Sequence, residues 1–326
     1  MKIEYDDYTE NLIAKIEKLS LWLWGNRIKE KNIYSWLENF NGIYSKDEKK
    51  EKQLALILLS QFMFYDLREI RQALKSIFKD FYMAPLISSF RQTTDSYNMD
   101  DYNAHFKAEL QKTRFLGVGN PSESSSLLLY FFRQKNDIPK DYFAESCQLL
   151  VENEDNNKVS NLIFIDDLSA SGSQAIRNLK NIIIKIRDRR KELKNEINIS
   201  YFTLFATTEA LEKLRNHTYA DGNKLFDRVE SIFELDSTYR TFAENSRYIT
   251  ANEEKEFFKK SCKKDYLKRC EVEDIKNEGE CGYSDTQLML GFFYNIPNNT
   301  LPIFWSDSKD WKPLFKRYNK NYKLGI

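Results

Sequence analysis

The 326-residue sequence carries 50 Lys and Arg against 49 Asp and Glu, a net charge of +1, so no global field draws it to nucleic acid. Its 30% charged residues, mean hydropathy of −0.63, 23 Phe and 19 Tyr, with no apolar run near the ~20 residues of a membrane span, describe a folded, heavily solvated chain of one large or two modest domains. Cys147, Cys262, Cys270 and Cys281 form no C-x-x-C pair, His105 and His217 are the only histidines, and Leu12, Ile13 and Ile16 are interleaved with charge; this argues against zinc and a signal peptide and for a reducing cytoplasm.

From Met1 to about Arg91 the apolar spacing is helical. Leu12, Ile16 and Leu19 make one stripe, followed by Trp22 and Trp24 before Gly25-Asn26; Leu54, Leu58, Phe62 and Tyr65 make another. Residues 1–100 are expected to form an α-helical cap or interaction domain with the Trp pair in its core, and the polar stretch Gln92 to Asn103 reads as a linker into residues 101–326. Arg114 to Val118 then reads as a strand, and Gly119-Asn120-Pro121-Ser122-Glu123-Ser124-Ser125 as a loop entering a helix over Ser126 to Arg133. Asn120, Pro121 and Glu123 have the pattern of an N-cap, a first-turn proline and a capping-box acid, and a capped helix start is also an anion site. Cys147 to Val151 reads as a further strand.

Leu162 to Ile165 is an unbroken apolar run of strand formers, as in a parallel strand buried on both faces. It ends in Asp166 and Asp167. Ser169, Ala170, Ser171, Gly172 and Ser173 are all small, and from Gln174 the residues Ile176, Leu179, Ile183 and Ile186 recur at helical spacing. Strand, loop and helix in that order place unpaired N–H groups where small side chains let a phosphate approach. The two acids are acceptors suited to sugar hydroxyls or to a magnesium ion held against a phosphate. The alternative reading is that Ser169 or Ser171 simply caps the next helix. No Asp-x-Asp of a dehalogenase and no Walker loop is present.

Asp166 to Gln174 resembles the PRPP-binding loop of type I phosphoribosyltransferases. The resemblance implies that Asp166 and Asp167 take the ribose hydroxyls, that Ala170 to Ser173 wrap the 5-phosphate, and that the Gly119 to Ser125 loop holds pyrophosphate. Ser169 stands where that family usually has an aliphatic residue, and Gln174 where Thr or Ser commonly closes the loop.

Beyond this point Arg187 to Glu192 mixes charges, as a solvated helix end does. Ile199 to Ala206 reads as a strand, Thr207-Thr208-Glu209 opens a helix over Ala210 to Arg215, and Val229 to Leu235 gives one more strand. The alternation predicts a doubly wound, mostly parallel α/β sheet. Thr207 and Thr208 either face a ligand from a strand end or cap the helix, and Asp236 has the same two readings. Tyr239 to Glu280 reads as charged helix with Phe257, Phe258 and Tyr266 on its apolar side. Asn295 to Trp305, with Asn298 and Asn299, is a proline-stiffened loop that either selects an acceptor substrate or simply turns the chain. Lys316 to Lys323 interleaves bases with aromatics, a composition that stacks on single-stranded nucleic acid or frays at a terminus.

Taken in order, the helical beginning, the Pro-Ser-Glu-Ser loop, the Asp-Asp-x-Ser-x-Ser-Gly loop and the Leu301-Pro302-Ile303-Phe304-Trp305 ending resemble the PRTase-CE proteins of bacterial conflict systems, over about Ile33 to Arg317. That resemblance implies an anti-phage effector, with a protein partner, that binds PRPP or a nucleotide-like metabolite with magnesium and cleaves or transfers at the anomeric carbon. Its alternative is a catalytically silent ligand sensor or interaction subunit, retron-associated, reaching nucleic acid only through a partner or the basic tail.

Overall fold

The computed structural model describes residues 6–42, 46–119, 124–144, 158–219, 222–261, 266–270 and 281–318. The chain divides into two compact units, residues 69–235 and residues 1–68 with 236–326. The anticipated boundary at residue 100 falls inside the first of these, in a helix. No helix among the described residues is long and apolar enough to cross a membrane.

Residues 69–235 are built on a parallel sheet of β2 (Thr113–Gly117), β3 (Asn161–Ser169), β4 (Asn198–Thr207) and β5 (Arg228–Leu235), side by side in that order. Parallel neighbours need crossover connections, and helices supply them: α7 (Ser124–Lys135) after β2, α8 (Ser173–Glu192) after β3 and α9 (Thr208–Asn216) after β4. Period-2 alternation then divides the apolar residues between two faces. Leu116, Leu162, Phe164, Ile199 and Tyr201 meet Leu179, Ile183 and Ile186 of α8 and Leu211 and Leu214 of α9. On the opposite face Phe115 packs against Phe78 at 6.2 Å, Tyr82 at 5.6 Å and Phe132 of α7 at 5.1 Å between ring centroids, and Phe202 against Phe81 at 5.4 Å.

The sheet reverses its direction of growth at β2. Phe143 bridges Phe115 in parallel, and the Ala144 N–H donates to the Phe115 carbonyl at 3.2 Å, along the edge of β2 that β3 leaves free. After β2 the chain thus steps outward by way of α7; from β3 it steps the other way, by way of α8 and α9. The sheet is doubly wound, and its switch point lies between β2 and β3. Cys147 to Val151, expected as a strand, lies outside the described residues.

The segment before β2 is helical: α4 (Leu67–Ser76), a π-helical turn Ile77–Met83, α5 (Ala84–Thr94) and α6 (Met99–Gln111). The polar stretch read as a linker is mostly helix and caps. Asp95 closes α5 at φ 51°, and the Asn98 side chain accepts from the Asp100 N–H at 2.9 Å to open α6.

In the other unit, α1 (Asp7–Trp22), α2 (Glu30–Leu37) and α3 (Glu48–Leu59) share an aromatic core with the C-terminal residues. Trp36 and Trp311 both donate from Nε1 to the Ile303 carbonyl, at 2.7 and 3.0 Å, and Phe62 stacks on Phe315 at 4.7 Å. Three expectations are corrected here. The helical stripe does not continue through Tyr65, because Met63–Tyr65 is a strand, β1, paired in parallel with β6 (Leu290–Phe292). The two tryptophans part company: Trp24 is buried, whereas Trp22, at the end of α1, is 77% exposed. Within 239–280 the described residues 240–251 form turns and bends, and helix occupies α10 (Asn252–Ser261) and α11 (Leu267–Cys270).

Candidate functional site

Open α/β sheets bind ligands outside the carboxyl ends of their strands where the winding reverses, and here that place is the end of β2 and β3. Asp166 and Asp167 stand on β3 at this edge, both half-buried. Backbone and side chains together fix Asp166. Its Oδ1 accepts from the Asp167 N–H at 3.0 Å, and its Oδ2 accepts from the Tyr201 hydroxyl at 2.6 Å. Burial first, and the Asp167 charge second, raise the Asp166 pKa well above the usual carboxylate range, while the Tyr201 hydrogen bond works against that rise. Burial also pushes the Tyr201 phenol well above its ordinary value, with the Asp166 charge adding to it, so the hydroxyl keeps its proton and remains a donor. The Asp167 Oδ1 accepts from the Leu168 N–H at 2.8 Å.

The loop between β3 and α8 is shaped by two fixed points. Gly172, the residue before α8, has φ 68° and ψ −14°, and a Cβ there would lie 3.2 Å from Leu214 Cγ and 3.3 Å from the Ala210 carbonyl oxygen. Only glycine takes this left-handed conformation freely, and only a residue without a side chain lets α9 approach so closely. Thr207 is the second point: its hydroxyl donates to the Ala170 carbonyl at 2.8 Å and accepts from the Ala210 N–H at 3.1 Å. It caps α9 and ties down the loop in one side chain.

Gly172, the N-cap of α8, supplies no side-chain acceptor to the first turn. Beside it the Ser171 hydroxyl accepts from the Ser173 N–H at 3.4 Å, and Lys213 Nζ donates to Ser173 Oγ at 2.8 Å. A cation, small hydroxyls and a positive helix end in one place suit a phosphate monoester.

Of the residues expected from sequence, Asp166, Asp167, Ser169, Ala170, Ser171, Gly172 and Ser173 come together at this edge, and Gln174 is exposed on the first turn of α8. Ser169 is buried, and its hydroxyl works against the rise in the Tyr201 pKa. From the other loop, Gly119 has φ 96°, and Ser124 and Ser125 open α7. Ser125 approaches the end of β2 so closely that a Cβ on Gly117 would lie 2.7 Å from its own. Asn120, Ser122 and Glu123 lie outside the described residues. Thr208 is the half-exposed first residue of α9. Asn298 and Asn299 belong to the other unit, where their carbonyls accept from the Tyr283 and Leu288 N–H groups at 2.8 and 3.1 Å and knit the turn together. Asp236, in the same unit, caps a turn by accepting from the Thr238 N–H at 2.9 Å.

Tyr201 and Lys213 escaped the sequence reading. Tyr201 looks like one more strand aromatic, and Lys213 like one more charge on a helix. Among the described residues no cluster of three or more His, Cys, Asp or Glu could hold a metal ion. Magnesium nevertheless needs only one or two carboxylates when substrate phosphates and water complete its shell. Asp167, with Asp166 beside it, fits that role and no more elaborate one.

A model of the PRTase-CE family matches residues 33–317, and no curated protein and no solved structure matches the chain.

Proposed function

The chain belongs to the PRTase-CE family and is a phosphoribosyltransferase-like protein, and from that premise we propose that it binds PRPP, or a nucleotide-like ribosyl phosphate, at the β2–β3 switch point. The observation that carries this reading is the placement, at one sheet edge, of two acids, a small-residue loop, a helix start whose N-cap is glycine, and Lys213. The start of α8 with Ser171, Ser173 and Lys213 takes the 5-phosphate. Asp166 and Asp167 accept hydrogen bonds from the ribose hydroxyls. Gly119, Ser124 and Ser125 lie where a pyrophosphate approaches the start of α7. Magnesium, when bound with the pyrophosphate, supplies charge neutralisation on the leaving group.

In the reaction proposed, the C1–O bond to pyrophosphate breaks and pyrophosphate leaves with the electron pair, while an acceptor or water forms the new bond at C1 and loses its proton to the released pyrophosphate or to solvent. Positive charge develops on the sugar ring and negative charge on the leaving group. Fixed N–H dipoles at the start of α7 stabilise the latter without reorganisation. The role as an effector of a bacterial conflict system rests on the family alone, and expression in cells with and without phage challenge tests it.

A second reading is ligand binding without turnover. It is favoured by Asp166, both of whose oxygens already accept a hydrogen bond from within the protein. One experiment separates the two: calorimetric titration of PRPP with magnesium into wild type, Asp166→Asn and Asp167→Asn, with pyrophosphate followed in the same mixtures. Binding that requires the acids, with pyrophosphate released, supports the enzyme. Acid-dependent binding without release supports the sensor, and no binding at all defeats PRPP as the ligand.

A further inference from the structure

Two side chains at this site, Tyr201 and Asp166, form a hydrogen-bonded pair that phosphate binding does not require. Tyr201, fully buried on β4, packs its ring against Phe226 at 5.3 Å between centroids. Register places it beside Phe164, two residues before Asp166 on the neighbouring strand. Its hydroxyl donates its single proton to Asp166 Oδ2 at 2.6 Å. The second carboxylate oxygen is held from the opposite side by the Asp167 N–H at 3.0 Å.

Above its raised pKa the Asp166 carboxylate offers about four lone-pair positions, and two of them are taken by these donors. Two remain, one on each oxygen, and the plane of the group is fixed. A carboxylate free to rotate would adapt to one hydroxyl as readily as to two and would lose side-chain freedom on doing so. One held in advance discriminates, because a ligand missing a hydroxyl leaves an acceptor without its partner.

We propose that Tyr201 is the positioning residue that holds Asp166 for the vicinal hydroxyls of a ribosyl ligand, and that this hydrogen bond sets a preference for ribose over deoxyribose compounds. The inference rests on the phosphoribosyl reading of the site and adds to it the residue that determines sugar specificity. Tyr201 itself touches no ligand in this scheme. Its whole effect passes through Asp166.

The test uses ribose 5-phosphate, 2-deoxyribose 5-phosphate and 3-deoxyribose 5-phosphate as probes, titrated into the full chain and into Tyr201→Phe, Asp166→Asn and the double variant. Wild type is expected to bind ribose 5-phosphate at least about tenfold more tightly than one of the deoxy sugars, as loss of a hydrogen bond to a charged group implies. Tyr201→Phe should cut that preference by about tenfold while leaving affinity for the disfavoured deoxy sugar unchanged. Tyr201→Phe added to Asp166→Asn should change the ratio no further. If Tyr201→Phe weakens all three sugars equally, or leaves the ratio intact, Tyr201 is only a packing residue and the proposal fails. A wild type that binds none of the sugar phosphates defeats the phosphoribosyl reading as well. A wild type that binds them all, with a ratio indifferent to Tyr201, defeats the positioning role alone.

Discussion

Replacing Thr207 by valine removes one hydroxyl without changing the shape of the side chain. In the native fold that hydroxyl, on a residue 7% exposed, accepts from the buried Ala210 N–H and donates to the Ala170 carbonyl. Loss of a helix N-cap costs about 1 kcal/mol, and loss of a second net hydrogen bond about another 1 kcal/mol. Thr207→Val should therefore lower stability by about 2 kcal/mol, read as a lower urea midpoint with an unchanged slope. Thr207→Ser keeps the hydroxyl and should recover most of the loss. Because the Ala170 carbonyl belongs to the proposed phosphate loop, the valine variant should also bind phosphate ligands more weakly, and the serine variant should not. A valine variant within about 0.5 kcal/mol of wild type, or a serine variant as damaged as valine, would refute the double-anchor argument, since ordinary surface exchanges fall within that range.

Lys213→Met removes the cation that donates to Ser173 Oγ; it should reduce affinity for a 5-phosphorylated sugar by about tenfold, flatten the salt dependence of binding and leave the melting temperature unchanged. Gly172→Ala forces a side chain into the left-handed region against Leu214, at about 1–2 kcal/mol, and differential scanning calorimetry should register a melting point lower by several degrees. For Asp166 the folded pKa is raised, so between the unfolded carboxylate value of about 3.9 and the folded one the unfolded chain releases a proton that the folded chain retains. Stability contributed at low pH is thus lost as pH rises through that window, and the stability of Asp166→Asn relative to wild type should grow above about pH 4 in denaturant titrations; a flat difference would refute burial as the cause. Trp311→Ala, in a residue 1% exposed whose ring meets Phe40 at 5.4 Å, should cost about 3–5 kcal/mol in urea unfolding.

The strand, loop and helix at Asp166 were legible because each is written locally. Four apolar residues in a row can be buried on both faces of a parallel sheet, and the 3.6-residue period of Ile176, Leu179, Ile183 and Ile186 begins where the small residues end. Tyr201 was not legible, because its role depends on register. The pairing of Phe164 with Tyr201 brings the phenol tip level with Asp166, and a slip of one residue would have turned the ring to the opposite face. Lys213 depends in the same way on how near α9 comes to Gly172. Gln92 to Asn103 misled for a different reason: Asp95 and Asn98 are polar in order to close one helix and open the next, which composition cannot distinguish from a linker.

The unit formed by residues 1–68 and 236–326 marks the other limit of local reading. Leu54, Leu58, Phe62 and Tyr65 keep a four- or three-residue spacing, yet α3 ends at Leu59 and Met63–Tyr65 pairs with Leu290–Phe292 from the far end of the sequence. A strand of three residues is too short to impose a period of its own, so the helical stripe runs on past the helix unopposed. Trp22 and Trp24 show the same effect. Two residues apart at a helix end, they cannot share a face: the Trp24 N–H reaches back to the Leu19 carbonyl at 3.1 Å as the chain turns, and its ring enters the core while Trp22 remains outside. What decides between such residues is the partner surface, here Phe62, Phe64 and Phe315 around Trp24. Since Phe315 comes from the opposite end of the chain, the first 68 residues cannot complete their core until the last stretch has been made.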